Sequence, residues 1–176
     1  MEIRMNLLTL NELNTLDNTS AYTWFEQCCA APLWIQHMVT ARPYYTLVEL
    51  RAAAELAWSK CSESDFLEAF KAHPMIGDVD SLREKFVNTK TIAAGEQSGT
   101  AAASEQVLQR LKSANHAYLN KHGFIFIICA TGLSAEQMLT ELEKRLPNTT
   151  EQEIQNAGAE QIKITLLRLN KALAIN

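Results

Sequence analysis

Two short sequences, Ser134-Ala135-Glu136-Gln137 and Thr150-Glu151-Gln152-Glu153, most narrow what this chain can become. A hydroxyl followed three residues later by Gln or Glu satisfies the first orphan amides of a helix reciprocally, so each marks a helix start. The helices they open run to about Leu146 and about Ala174. Upstream, Thr9 to Asp17 reads as a short helix, and Ser20 introduces a second through Trp24, Phe25 and Cys28. Pro32 suits an early helical position for a third, which carries Trp34, Ile35 and Met38 and stops at Arg42-Pro43. Thr46 heads an alanine-rich helix with Leu47, Leu50, Ala54 and Trp58 at helical spacing. Ser62 to Ala72 follows, with Phe66, Leu67 and Phe70 on one face. A longer helix covers roughly Thr100 to Asn120, with Ala103, Val107, Leu111 and Tyr118 near one stripe, and ends at His122-Gly123. The expected fold class is all-α: a single-domain bundle of about eight helices over 1–176.

Composition removes several functions. With 16 basic against 20 acidic residues and a formal charge of -4, there is no basic footprint for nucleic acid. The longest apolar run, Phe124-Ile125-Phe126-Ile127-Ile128-Cys129-Ala130, is far short of the roughly 20 residues of a membrane helix. No leader or peroxisomal address is read at the termini, so the expected location is cytoplasmic and no membrane partner is expected. Cys28, Cys29, Cys61 and Cys129 match neither a disulfide framework nor a zinc pattern and read as reduced, mostly buried thiols.

Four features carry possible chemistry. In His73-Pro74-Met75-Ile76-Gly77, proline ends the helix and pushes the residue before it out of the α region, so His73 projects from a helix end. An imidazole there suits proton transfer, or caps the last carbonyls. Gly95-Glu96-Gln97-Ser98-Gly99 lies in an aperiodic connection, where the Glu-Gln pair offers acceptors and donors suited to a urea-like group, or is a solvated loop. The apolar run reads as an extended segment crossing the interior or as a buried helical turn. Arg168, alone amid Leu166, Leu167 and Leu169, either snorkels to water or meets an oxygen-rich ligand.

Taken in chain order, His-Pro-x-Ile-Gly, Gly-Glu-Gln-x-Gly, Gly-Phe-x-Phe-Ile-Ile-Cys-Ala, Arg-Leu-x-Asn and a last helix bearing Arg-Leu resemble the 2-oxo-4-hydroxy-4-carboxy-5-ureidoimidazoline (OHCU) decarboxylases of urate degradation. Trp34 and Arg42-Pro43 resemble that family too. The resemblance implies an all-helical homodimer that decarboxylates the ureidoimidazoline to (S)-allantoin without a cofactor or metal. It implies catalytic roles for His73 and Glu96. It implies substrate contacts from Pro74, from Ala93, Ala94, Gly95 and Gln97, from the main chain of Phe126, Ile127, Ile128, Cys129 and Ala130, and from Arg168. Ala93 stands where the family usually has serine, so a hydroxyl contact is absent there.

Two other classes are weaker. A metal hydrolase using His37, His73, His116 and His122 lacks any His-Glu-x-x-His spacing. A non-enzymatic helical interaction module leaves the Gly-flanked Glu-Gln pair unexplained.

Overall fold

The computed structural model describes residues 7–74 and 105–174. Among these residues it contains eight α-helices. They are α1 Leu10–Thr15, α2 Asn18–Glu26, α3 Pro32–Thr40, α4 Leu47–Ser59, α5 Glu63–Lys71, α6 Glu105–His122, α7 Ala135–Arg145 and α8 Thr150–Ala172. The one β-type pairing among them is an isolated parallel bridge between Leu8 and Leu173. The all-α expectation therefore holds. The contacts divide the chain into two compact units, one running to Ala72 and resuming at Gly158, the other running from His73 to Ala157.

In the first unit the helix starts follow their caps. Thr9, Thr46 and Ser62 each form a full capping box, with Glu12, Glu49 and Asp65 respectively. The second helix begins earlier than expected. Asp17, not Ser20, is its cap, and Ser20 lies in the first turn with its amide on Asp17 Oδ1 at 2.9 Å. A carboxylate competes well with a hydroxyl for the first-turn amides, which explains the shift.

Helix α3 packs on α2, α4 and α5. Its Trp34 is fully buried and donates its indole N–H to Ala54 O at 3.0 Å. The Phe25 ring meets Trp24, Trp34 and Tyr44 edge to face. Leu47 is more exposed than its spacing suggested, at 39%. Arg42 ties three elements together. Its Nη1 donates to Leu13 O (2.9 Å) and Leu16 O (2.7 Å), its Nη2 to Asn18 Oδ1 (2.9 Å) and its Nε to Val39 O (3.1 Å). Carbonyls at the end of α1 are thereby satisfied by a side chain.

In the second unit α6 packs on α7, burying Leu108 and Leu111 of α6 and Met138, Leu139 and Leu142 of α7. Gly123 ends α6 with φ +79, and its amide bonds Leu119 O at 2.8 Å. That left-handed geometry is why a glycine stands there. Residues 125–130 form neither helix nor strand, which settles the apolar run against the helical-turn alternative. Ser134 caps α7 in a full box with Gln137, as expected. The second box is displaced by one residue. Thr149, not Thr150, exchanges bonds with Gln152: the Gln152 amide donates to Thr149 Oγ1 at 3.2 Å, and the Thr149 amide to Gln152 Oε1 at 3.0 Å. Glu153 is thereby released from capping.

Candidate active site

The geometry at His73 begins with α5. Ala72 caps its C-terminal end with helical backbone angles, and His73 follows, half-buried, with Pro74 exposed beside it. The histidine thus lies past a helix end, as the proline required. Ala93, Ala94, Gly95, Glu96 and Gln97 lie outside the described residues. The chain's other Glu-Gln pair, Glu105-Gln106, opens α6 on its exposed side, where Glu105 Oε1 accepts from Gln109 Nε2 at 3.2 Å.

The segment Phe126–Ala130 belongs to the second unit. Ile127 is 2% exposed and the other four are half-buried. It is held from one side by Arg145, whose Nη1 donates to Ile127 O at 2.9 Å and whose guanidinium carbon lies 4.5 Å from the Phe126 ring centroid. Tyr118 meets the same ring edge-on at 5.2 Å between centroids. At the far end Leu133 N bonds Ala130 O at 3.2 Å, and Gly132 supplies φ +78 for the turn.

Arg168 belongs to the first unit. It is half-buried, and its Nη1 donates to Cys28 O at 3.2 Å. That contact uses one of a guanidinium's five donors, so the arginine is anchored at a backbone carbonyl instead of merely reaching for water. The neighbouring thiols are not nucleophiles. Burial pushes Cys28 up to about 12, against the pull of the Arg168 charge, and Cys29 up to about 11. Only a thiolate attacks, and neither thiol ionises near neutrality. Cys28, Cys29 and Cys61 are free thiols. Among the described residues no three His, Cys, Asp or Glu side chains are grouped to hold a metal ion.

One cluster was not anticipated. Glu153 is fully buried, and its Oε2 accepts from Tyr118 OH at 2.5 Å and Arg145 Nε at 2.8 Å, with Arg145 Nη2 at 2.7 Å. Its Oε1 accepts from Asn148 Nδ2 and Asn156 Nδ2, both at 2.8 Å. Burial alone would raise its pKa. Hydrogen bonds from Arg145, Tyr118, Asn148 and Asn156 outweigh that and hold the carboxyl down at about 2. Tyr118 is driven far above the ordinary phenol range, first by burial and then by the carboxylate beside it. The sequence offered Arg145 and Asn148 only as an Arg-Leu-x-Asn motif, and a first-turn glutamate is indistinguishable from a cap until its partners are seen.

Comparison with known proteins gives these features a setting. The OHCU decarboxylase family matches residues 14–170. The uric acid degradation bifunctional protein TTL of Arabidopsis thaliana is 34% identical over 82% of this chain, and this chain spans 44% of its length. The OHCU decarboxylase of Haloferax volcanii is 25% identical over 94% of this chain and 96% of its own. A crystal structure of an OHCU decarboxylase in the presence of (S)-allantoin aligns with a TM-score of 0.66 at 33% identity, covering 85% of this chain and 96% of that one. A crystal structure of (S)-allantoin synthase shares the fold, with a TM-score of 0.69 at 21% identity over 95% of this chain and 54% of that one. The chain belongs to the OHCU decarboxylase family.

Proposed function

We propose that this chain is a carboxy-lyase that converts 2-oxo-4-hydroxy-4-carboxy-5-ureidoimidazoline to (S)-allantoin in urate degradation. The observation that carries this reading is the family match across residues 14–170. It is supported by a histidine placed past a helix end. The reaction breaks the bond from the ring carbon to the carboxylate and releases carbon dioxide. The electron pair enters the adjacent C=N bond, and a proton delivered to one face sets the stereochemistry. The substrate is therefore its own electron sink, and no cofactor or metal is needed. The protein's task is orientation and one well-placed proton.

In this reading His73 and Glu96 manage the hydroxyl and proton steps. Gln97 and Arg168 hold the ureido and oxo groups. Pro74, Ala93, Ala94, Gly95 and the main chain of Phe126 to Ala130 shape the remainder. The test supplies purified protein with freshly generated product of hydroxyisourate hydrolysis and follows the circular dichroism of (S)-allantoin. The wild type accelerates its appearance, whereas His73→Asn abolishes the acceleration with helical content unchanged. A wild-type-like rate in that variant overturns the role of His73.

The same reading makes the protein a homodimer acting in the cytoplasm. Three exposed apolar side chains, Tyr45, Val48 and Leu56, respectively 76%, 76% and 58% exposed, support self-association. The free thiols of Cys28, Cys29 and Cys61 suit a reducing compartment. Among the described residues no helix is long and apolar enough to cross a membrane. Sedimentation of Val48→Lys should give a lighter species than the wild type, and an unchanged mass would remove Val48 from the interface.

A further inference from the structure

The buried Glu153 carboxylate plays no part in the chemistry above, yet it organises the segment that the proposed site uses. Three nitrogens of Arg145 have different work. Nε and Nη2 lie 2.8 and 2.7 Å from Glu153 Oε2, and Nη1 lies 2.9 Å from Ile127 O. A guanidinium is planar, so fixing the edge that carries Nε and Nη2 fixes the direction of Nη1. The carboxylate cannot swing in response, because Tyr118, Asn148 and Asn156 hold it from other directions. Arg145 also lies 4.5 Å from the Phe126 ring centroid, so two consecutive residues of the segment register its position.

The consequence runs through one peptide plane. Ile127 C=O and Ile128 N–H belong to the same trans peptide and point in opposite directions. A carbonyl drawn toward Arg145 therefore turns the Ile128 N–H to the other side. In a helix or sheet the ladder would set that direction, but residues 125–130 are in neither. We propose that Arg145 and Glu153 are positioning residues, which aim the Ile128 N–H as a donor for a carbonyl oxygen of the ring or ureido group of the substrate. This rests on the reading that the main chain of Phe126 to Ala130 contacts substrate, and neither side chain touches the reacting atoms.

The probe is (S)-allantoin, added to 15N-labelled wild type and to Arg145→Lys and Glu153→Gln, with thermal melts on all three. Lysine keeps a charge near Glu153 but lacks the planar fork; glutamine keeps the shape but loses the charge. In the wild type the Ile128 amide proton moves as (S)-allantoin saturates. In a folded variant that movement shrinks, KM for the ureidoimidazoline rises at least about tenfold, and kcat changes by less than about threefold. If the Ile128 amide ignores (S)-allantoin in the wild type, the underlying site reading fails. If it responds there but both variants bind and turn over normally, the site stands and the positioning role falls. Loss of activity in proportion to unfolded protein, or two variants that cannot fold, assigns the cluster to stability alone and likewise overturns the proposal.

Discussion

Arg168 and Cys28 show how much a single residue's meaning depends on what surrounds it. A lone arginine among leucines reads equally as a snorkelling cation or a ligand contact, and the bond to Cys28 O decides for an anchored, directed guanidinium. Arg168→Lys should therefore raise KM more than it lowers kcat, since a planar donor set becomes a point charge. Steady-state kinetics check this, and an unchanged KM would return Arg168 to a structural role. The two Glu-Gln pairs give a sharper contrast. Glu105 is exposed and bonded within its own helix, so Glu105→Gln should leave the rate unaltered. Glu96→Gln should lose at least about a hundredfold, the low end for one acid-base group. The reverse result would show that the family's acidic residue is Glu105 and that the reading of Ala93 in place of a serine is wrong. His73 was legible because proline dictates the backbone before it. Glu153 was not, because a carboxylate's partners are three-dimensional.

Helices tell a similar story one level up. Most starts were readable because capping is local chemistry, settled within four residues. The two displaced starts, at Asp17 and Thr149, arose where neighbouring residues offered competing acceptors. Thr149→Ala should cost about 1 kcal/mol in urea melts, the usual worth of a cap; no loss would deny it the capping role. What lies against a helix was less legible. Gly158 falls inside α8 and looks like a candidate for stabilisation by alanine, which would add about 1 kcal/mol of helix propensity. A Cβ there would come within 3.1 Å of the Phe66 ring, which is stacked on Trp58 at 4.4 Å between centroids. The stack on Trp58 braces the ring on one face, and the Trp58 indole also bonds Gly158 O at 3.0 Å. Gly158→Ala should therefore destabilise by about 1 kcal/mol on balance, overpacking exceeding propensity. A higher melting temperature would show that Phe66 can move.

At the scale of the whole molecule, acid is the condition that should expose what holds the chain together. Glu153 has an ordinary value of 4.5 and is held at about 2 when folded. A depressed carboxylate contributes stability that is complete above the unfolded value and lost as pH falls below it, here about 3 kcal/mol between pH 4.5 and 2. His122 is lowered from 6.5, by burial first and by Lys121 next, so its neutral form is favoured and its contribution starts to fade below pH 6.5. Chemical melts from pH 7 to 3 should show stability falling throughout. Glu153→Gln should be less stable at pH 7 but flatter below pH 4.5; an acid limb as steep as the wild type's would mean that other carboxylates carry it. The amino-acid sequence by itself determined the helical class, most of the caps, the turn at Gly123 and the placing of His73 past a helix end. Each depends on residues within a turn or two of one another. Only the tertiary structure decided that Glu153 is a buried anchor, that Arg145 grips Ile127 O, and that Arg168 is tied to Cys28 O. Those contacts join residues 8, 18 and 140 positions apart. Packing, not local propensity, chooses such partners, because burying a charge demands donors from wherever the fold brings them.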